Sequence, residues 1–369
     1  MRFCLNQQFA LLLVLLGILL IGGGLIFSSA AFGLLARGAG HISSVVFNHL
    51  LLGVGAGIVL LVGALQFEYI VWRRIAPYLF VAAIIFTLLV FVPHIGLEHG
   101  GGKRWVDLFG FSFQPSELLK LATIIFASAY CAAMKEKISA TIHGLGGFLA
   151  IVIAPALILI VQPDIGTLGV IIIATFSVFW TAGMRIRDIL IVGCIGMLLL
   201  SVLFFMRPYV RDRVETFLNP AQGKQQESYQ IRQSLIAVGS GGIFGRGFGQ
   251  GIQKFTYLPE PMGDSIFAVA GEELGFAGSV AIILLFLLFA LRGLHIASQI
   301  TEPFGRFAAT GISTYLVAES FINISAMLGI APLTGIPLTF ISQGGSAMLV
   351  SLLSAGVLLS VSRVRNKRR

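Results

Sequence analysis

The sequence predicts an α-helical bundle embedded in a membrane, and three observations carry that prediction. The chain is 57% hydrophobic and only 11% charged, where a soluble domain carries about a quarter charged residues. Apolar runs of about twenty residues, the helix length that crosses a hydrocarbon core roughly 30 Å thick, recur along the whole chain. No run alternates with period two over the length of a barrel strand, and lipid leaves helices and closed barrels as the ways to satisfy a spanning backbone.

Ten spans are expected, at 8–32, 46–67, 76–95, 116–134, 145–162, 166–183, 188–206, 266–291, 307–328 and 341–362, in a single polytopic membrane domain over 1–369. In the first, Arg2 precedes an apolar run that ends in small residues, as in a signal peptide, but the run is too long for an h-region and reads as a signal-anchor helix. Basic residues then orient the bundle. With the N-terminus inside, the even-numbered connections receive Arg73, Arg74, Lys135, Lys137, Arg185, Arg187, Arg292 and Arg306, and the tail adds Arg363, Arg365, Lys367, Arg368 and Arg369. The short connections opposite hold only Arg37, Lys103 and Arg104. The positive-inside rule therefore places both termini in the cytoplasm and the long 207–265 loop outside.

The net charge of +9 lies beside the membrane, so anionic headgroups rather than nucleic acid are the expected counter-charge. Cys4, Cys131 and Cys194 fall at the N-terminus or inside spans, which predicts no external disulfide and offers no metal-ligand spacing. No internal repeat of the transporter kind is visible.

Chemistry is therefore expected in embedded polar residues and connecting loops. In GGKRWVDLFGFSFQPSELLKL, Trp105, Leu108 and Phe111 recur every three residues beside Lys103, Arg104 and Asp107, which suits a short element at the membrane interface. Pro115 and Ser116 then start a helix whose Glu117 and Lys120 share a face. Such a pair within hydrocarbon either lines a functional polar cavity or locks the bundle, and both readings stay open.

In VQPDIGTLGV, Asp164 caps the next helix or contributes to chemistry, with capping favoured. The glycines of GSGGIFGRGFGQG approach a dinucleotide fingerprint, but no strand precedes them, so nucleotide binding is rejected. Arg232, Arg246 and Lys254 make that loop attractive to a phosphate-bearing ligand, against the plainer reading of a solvated loop. YLPEPMGDSIFAVAGEELGF brings three carboxylates, Asp264, Glu272 and Glu273, to the mouth of the eighth span. Glu272 and Glu273 point to different faces, so one at most views a cavity and the other needs a partner. The last connection, NISAMLGIAPLTGIPLTFISQGGSAML, reads as a re-entrant or tightly packed loop walling a cavity.

Together, KRW...FQPSELLKL, QPDIGT, GSGGIFGRG with LPEPMGDSIFAVAGEELGF, and GIPLTFISQGGS resemble the SEDS family of membrane proteins (shape, elongation, division and sporulation) over most of the chain. The resemblance implies a peptidoglycan glycosyltransferase that polymerises lipid II at the outer face of the bacterial cytoplasmic membrane, beside a class B penicillin-binding transpeptidase and other division proteins. It puts the family's essential loop aspartate at Asp264 and its helix-four pair at Glu117 and Lys120. Asp264 is then the expected base or divalent-cation ligand, for magnesium or manganese, with no organic cofactor. Candidate substrate contacts are Arg104, Glu117, Lys120, Asp164, Arg232, Arg246, Glu273 and Ser342.

The wording of GEELGF and PLTGIPLTFIS leans toward the division branch and the septum rather than side-wall elongation. A lipid II flippase and a non-catalytic scaffold are the rival readings. The chain departs from the family pattern at Met262, Gly263 and Ser265 around Asp264, at Thr339 and Gln343, and at Glu319, an acid where Gln is usual and with no evident partner.

Overall fold

The computed structural model describes residues 7–36, 46–99, 102–108, 111–219 and 225–363. Its long helices are α1 (Gln7–Ala36), α2 (Val46–Gln66), α3 (Tyr69–Leu88), α4 (Pro115–Met134), α5 (Leu145–Val161), α6 (Ile165–Thr181) and α7 (Ile186–Met206). After α8 (Pro208–Leu218), α9 (Gln225–Ser240) and the single turn α10 (Gln253–Thr256) come α11 (Ile266–Gln299), α12 (Pro303–Met327) and α13 (Gly345–Ser362). Every expected span coincides with one of these helices. Seven of them, α1 to α4, α7, α11 and α13, are long and apolar enough to cross a membrane. The helices α5 and α6 are apolar but 17 residues each, and α12 is long enough but carries Arg306, Glu319 and Asn323. The protein is a multi-pass helical membrane protein.

Burial follows the small and polar residues. The faces of α4, α12 and α13 are the most enclosed, with serines such as Ser128, Ser320 and Ser354 returning their hydroxyls to carbonyls one turn back, which keeps them satisfied without water. By contrast α7 buries only Asp188, Val192 and Leu203, so its apolar surface is left for lipid.

Two expectations are corrected and a third is specified. The helix α3 starts at Tyr69, not 76, because Glu68 is the last extended residue and Arg73 and Arg74 continue the helix; Arg73 reaches Glu302 at the start of α12, at 3.4 Å. The short element at Trp105 is part of a three-stranded antiparallel sheet, β1 (Gly96–His99), β2 (Gly102–Leu108) and β3 (Phe111–Phe113). Leu108 and Phe111 are partners in the antiparallel pairing of β2 with β3, so their three-residue spacing reflects strand pairing. The 207–265 connection is largely helical, in α8, α9 and α10.

Gly275 breaks α11, with φ 68° and ψ −165°. The glycine-rich loop after α9 repairs the break. Phe276 and Ala277 donate to the carbonyls of Gly242 and Ile243, at 2.8 and 3.0 Å. Arg246 and Gly247 donate to those of Glu272 and Glu273, at 3.0 and 3.1 Å. A Cβ on Gly275 would run into the Gly245 nitrogen, so glycine is required by close approach as well as by φ. The part after the break, Phe276–Gln299, is about 36 Å long at 1.5 Å per residue and can cross a membrane alone.

Candidate active site

Asp264 lies in the turn that leads into α11. Glu260 opens that turn with a left-handed φ of 44°, and the amides of Gly263 and Ser265 return to its carbonyl at 3.0 and 3.3 Å. Neighbouring elements pin the loop. Asn323 Nδ2 on α12 donates to the Asp264 carbonyl at 2.8 Å and to the Ile336 carbonyl at 2.7 Å. Ser342 donates to the Gly263 carbonyl at 2.7 Å while accepting from the Leu338 amide at 2.8 Å. The Gln343 amide donates to the Met262 carbonyl at 2.6 Å. The last connection is therefore the tightly packed wall expected of it, with Leu333, Ile336, Leu338, Phe340 and Ile341 buried.

The Asp264 side chain is held by a neutral group. Its Oδ1 accepts from Gln230 Nε2 on α9 at 3.1 Å, and the same amide donates to Ser265 Oγ at 2.9 Å. Burial and then the Glu260 carboxylate push the Asp264 carboxyl up to about 6, against the Gln230 hydrogen bond, the loop's own backbone and the Arg213 charge, which pull it down. A carboxylate so placed is poised to accept a proton near neutral pH.

A second group faces the same connection. Arg213 on α8 lies over the Tyr209 ring at 4.3 Å and pairs with Glu227 of α9 at 3.6 Å. Arg104 donates to the Tyr209 hydroxyl at 3.3 Å and clamps the α5–α6 turn, at 2.6 Å to the Pro163 carbonyl and 3.3 Å to that of Gln162. In that turn Asp164 caps α6, its Oδ1 accepting from the Thr167 amide at 3.3 Å, with Ser116 and Gln114 donating to Oδ2, each at 3.3 Å.

Glu117 and Lys120 are fully buried and form a trio with Glu319: Lys120 Nζ lies 2.9 Å from Glu117 and 2.6 Å from Glu319. Glu319, expected to lack a partner, has this one. The trio neighbours Asp264 through α12, since Glu319 and Asn323 are one turn apart on the same face.

Glu273 does not view a cavity. It accepts from Lys254 at 2.6 Å, from Ser29 of α1 at 2.7 Å and from the Gly249 amide at 3.0 Å. Glu272 accepts from the Ile252 amide at 2.8 Å and pairs with Arg246 at 3.6 Å. Both carboxylates bind the glycine-rich loop to α11. Lys254 is fully buried, so it is not the phosphate-attracting loop cation expected of it, and Arg246 faces Glu272. Arg232 is exposed on α9, two residues from Gln230 and so turned away from Asp264. The structure thus gathers Asp264 and Ser342, places Arg104 beside Asp164, joins Glu117 to Lys120, and sends Glu273 and Arg246 to a separate cluster.

Sequence reasoning missed Gln230, Asn323, Glu260 and Arg213. Glu227 and Gln230, three apart on α9, were the available hint of a polar helix face. Among the described residues no group of three or more His, Cys, Asp or Glu side chains is placed to hold a metal ion. Glu260 and Asp264 are the nearest fit, because magnesium is commonly held by one or two carboxylates and completed by substrate phosphates.

A family model described as "Cell cycle protein", covering FtsW, RodA and SpoVE, matches residues 9–367. Stage V sporulation protein E of Bacillus subtilis is 38% identical over 353 residues, 96% of this chain and 96% of that protein. A probable peptidoglycan glycosyltransferase FtsW of Geobacter sp. (strain M18) is 38% identical over 299 residues, 81% of this chain and 82% of the relative. Among solved structures, a chain from a peptidoglycan synthase complex studied for coordination of polymerization and crosslinking superposes with a TM-score of 0.76 at 23% identity, covering 93% of this chain and 97% of that one. Thermus thermophilus RodA superposes with a TM-score of 0.69 at 22% identity, covering 97% of each. At these identities the two structures establish a shared fold.

Proposed function

Because the chain belongs to the FtsW, RodA and SpoVE family, we propose that it is a peptidoglycan glycosyltransferase that polymerises lipid II. The single observation that carries this reading is Asp264, a carboxylate held by a neutral amide, pushed up to about 6 and fixed on a loop that three other segments pin. In the proposed step Asp264 takes the proton of the attacking sugar hydroxyl, the new glycosidic C–O bond forms, and the bond to the lipid diphosphate breaks with its electrons on the leaving oxygen. In the alternative role, Asp264 with Glu260 would hold a divalent cation, magnesium or manganese, which would supply charge neutralisation at the diphosphate.

The asymmetry of the basic residues supports cytoplasmic termini and a site on the outer face. The relatives named FtsW support a septal role, and the solved synthase complex, which coordinates polymerization with crosslinking, supports a crosslinking partner, in keeping with the class B transpeptidase that the resemblance implies. The test is purified protein with that transpeptidase, given lipid II. Wild type is expected to make glycan strands, with Asp264→Asn making almost none; undiminished polymer from the variant removes Asp264 from the mechanism. Lipid II movement across vesicles without polymer would instead favour transport.

A further inference from the structure

Of the lysines and arginines weighed as ligand contacts, the structure occupies most internally. Lys120 lies between Glu117 and Glu319, Lys254 against Glu273 and Ser29, Arg246 by Glu272, and Arg104 on two backbone carbonyls. Arg213 differs in where it is held and what it faces. Glu227, its partner, and Gln230, the Asp264 partner, are three residues apart on α9 and therefore on one face. That places the guanidinium and the Asp264 carboxylate along the same side of α9.

A second contact agrees. The Arg213 Nη2 lies 3.9 Å from where a Cβ on Gly335 would stand, and Ile336, the next residue, shares the Asn323 amide with the Asp264 carbonyl. The Tyr209 ring beneath the guanidinium fixes its plane, and the buried Nε faces Glu227 at 3.6 Å, which leaves the Nη atoms for a ligand. The side chain remains 18% exposed, so its outer edge is reachable.

We propose that Arg213 is a ligand-contacting residue of this site, its guanidinium binding the diphosphate of a lipid-linked sugar across from Asp264. The class of ligand follows from the group: a planar guanidinium held by a ring and a carboxylate presents its remaining N–H bonds as a fork that fits phosphate oxygens. Glu227, Glu260 and Asp264 make the neighbourhood acidic, so magnesium belongs in the binding buffer. The inference deepens the glycosyltransferase reading, and a binding measurement separates the two.

Undecaprenyl diphosphate is titrated into the detergent-solubilised full chain with magnesium present, beside undecaprenol as a control lacking phosphate. Arg213→Gln is expected to weaken diphosphate binding by about tenfold or more, with Arg213→Lys recovering part of it and Arg246→Gln unchanged. Undecaprenol binding should not change in any of them. Should Arg213→Gln fail to fold, Glu227→Gln serves: it releases the guanidinium and is expected to tighten diphosphate binding by roughly threefold. Diphosphate affinity indifferent to both substitutions overturns the inference, whether or not the wild type polymerises lipid II. Failure of wild type to polymerise, with Arg213-dependent binding intact, would overturn the reaction and leave this contact standing.

Discussion

Glu273 and Asp264 are nine residues apart, yet one is closed and the other open. Glu273 is fully buried and receives a lysine ammonium, a serine hydroxyl and a backbone amide. Asp264 is partly exposed and is met by the amide of Gln230. A carboxylate matched by a buried cation works as a clamp, because taking either charge away strands the other in a low dielectric. A carboxylate matched by a neutral donor and crowded by Glu260 gives up its charge readily, which is what proton transfer needs. The Lys120 trio belongs with Glu273, so embedded charge is not by itself a sign of chemistry in this protein.

The comparison breaks most decisively in activity. Asp264→Asn should lower polymerisation by about 10²–10⁴-fold, the range for a lost general base, without lowering its unfolding midpoint. An Asp264→Asn protein as unstable as a clamp variant would erase the distinction. Next in size, Lys254→Met leaves the Glu273 carboxylate buried and unpaired and should cost about 3–5 kcal/mol in detergent unfolding measurements, and Lys120→Met should behave alike. If instead Lys120→Met stays as stable as wild type but is inactive, the trio belongs with Asp264.

A smaller effect is expected at the helix break. Gly275→Ala forces a side chain into φ 68° and against the Gly245 nitrogen, destabilising by roughly 1–3 kcal/mol, read as a lower melting temperature. The finest test is pH. Since a base must be ionised, activity should rise with pH through an acid limb near 6. Glu260→Gln removes a raising influence and should move that limb down, while Gln230→Ala removes a lowering one and should move it up.

Stability should show the opposite slope. The folded value of about 6 lies above the ordinary 3.8, so the Asp264 contribution is present below about pH 4 and lost as pH rises through about 6. Asp264→Asn should flatten that dependence in unfolding midpoints measured between pH 4 and 7.

Much of the fold could be read in the chain because the membrane imposes one rule. A span must be a long apolar helix, so hydropathy locates it to within a few residues, with errors where amphipathic side chains prolong a helix past the hydrocarbon, as at Arg73 and Arg74. The loop elements carried weaker signals. Spacing at Trp105, Leu108 and Phe111 fits a helix face and a hairpin about equally well, and only the pairing of β2 with β3 separates them. At the site, Asp264, Glu272 and Glu273 stood out together because an acid beside a span needs a reason to be there, and the family resemblance singled out Asp264 among them. Gln230 and Asn323 are neutral and common in type, so nothing local marked them before the loop was folded onto α9 and α12.

Sequence by itself determined the helical membrane class, the order of the spans and the family, because each follows from composition or a contiguous motif, and the family resemblance pointed to Asp264 as the expected base. Only the tertiary structure decided which charges neutralise one another. Lys254 and Glu273 meet Ser29 from the far end of the chain, and Lys120 reaches Glu319 across 199 positions. An ion pair depends on distance in space, which sequence separation does not encode, and the desolvation that makes such pairing compulsory exists only once the helices have packed.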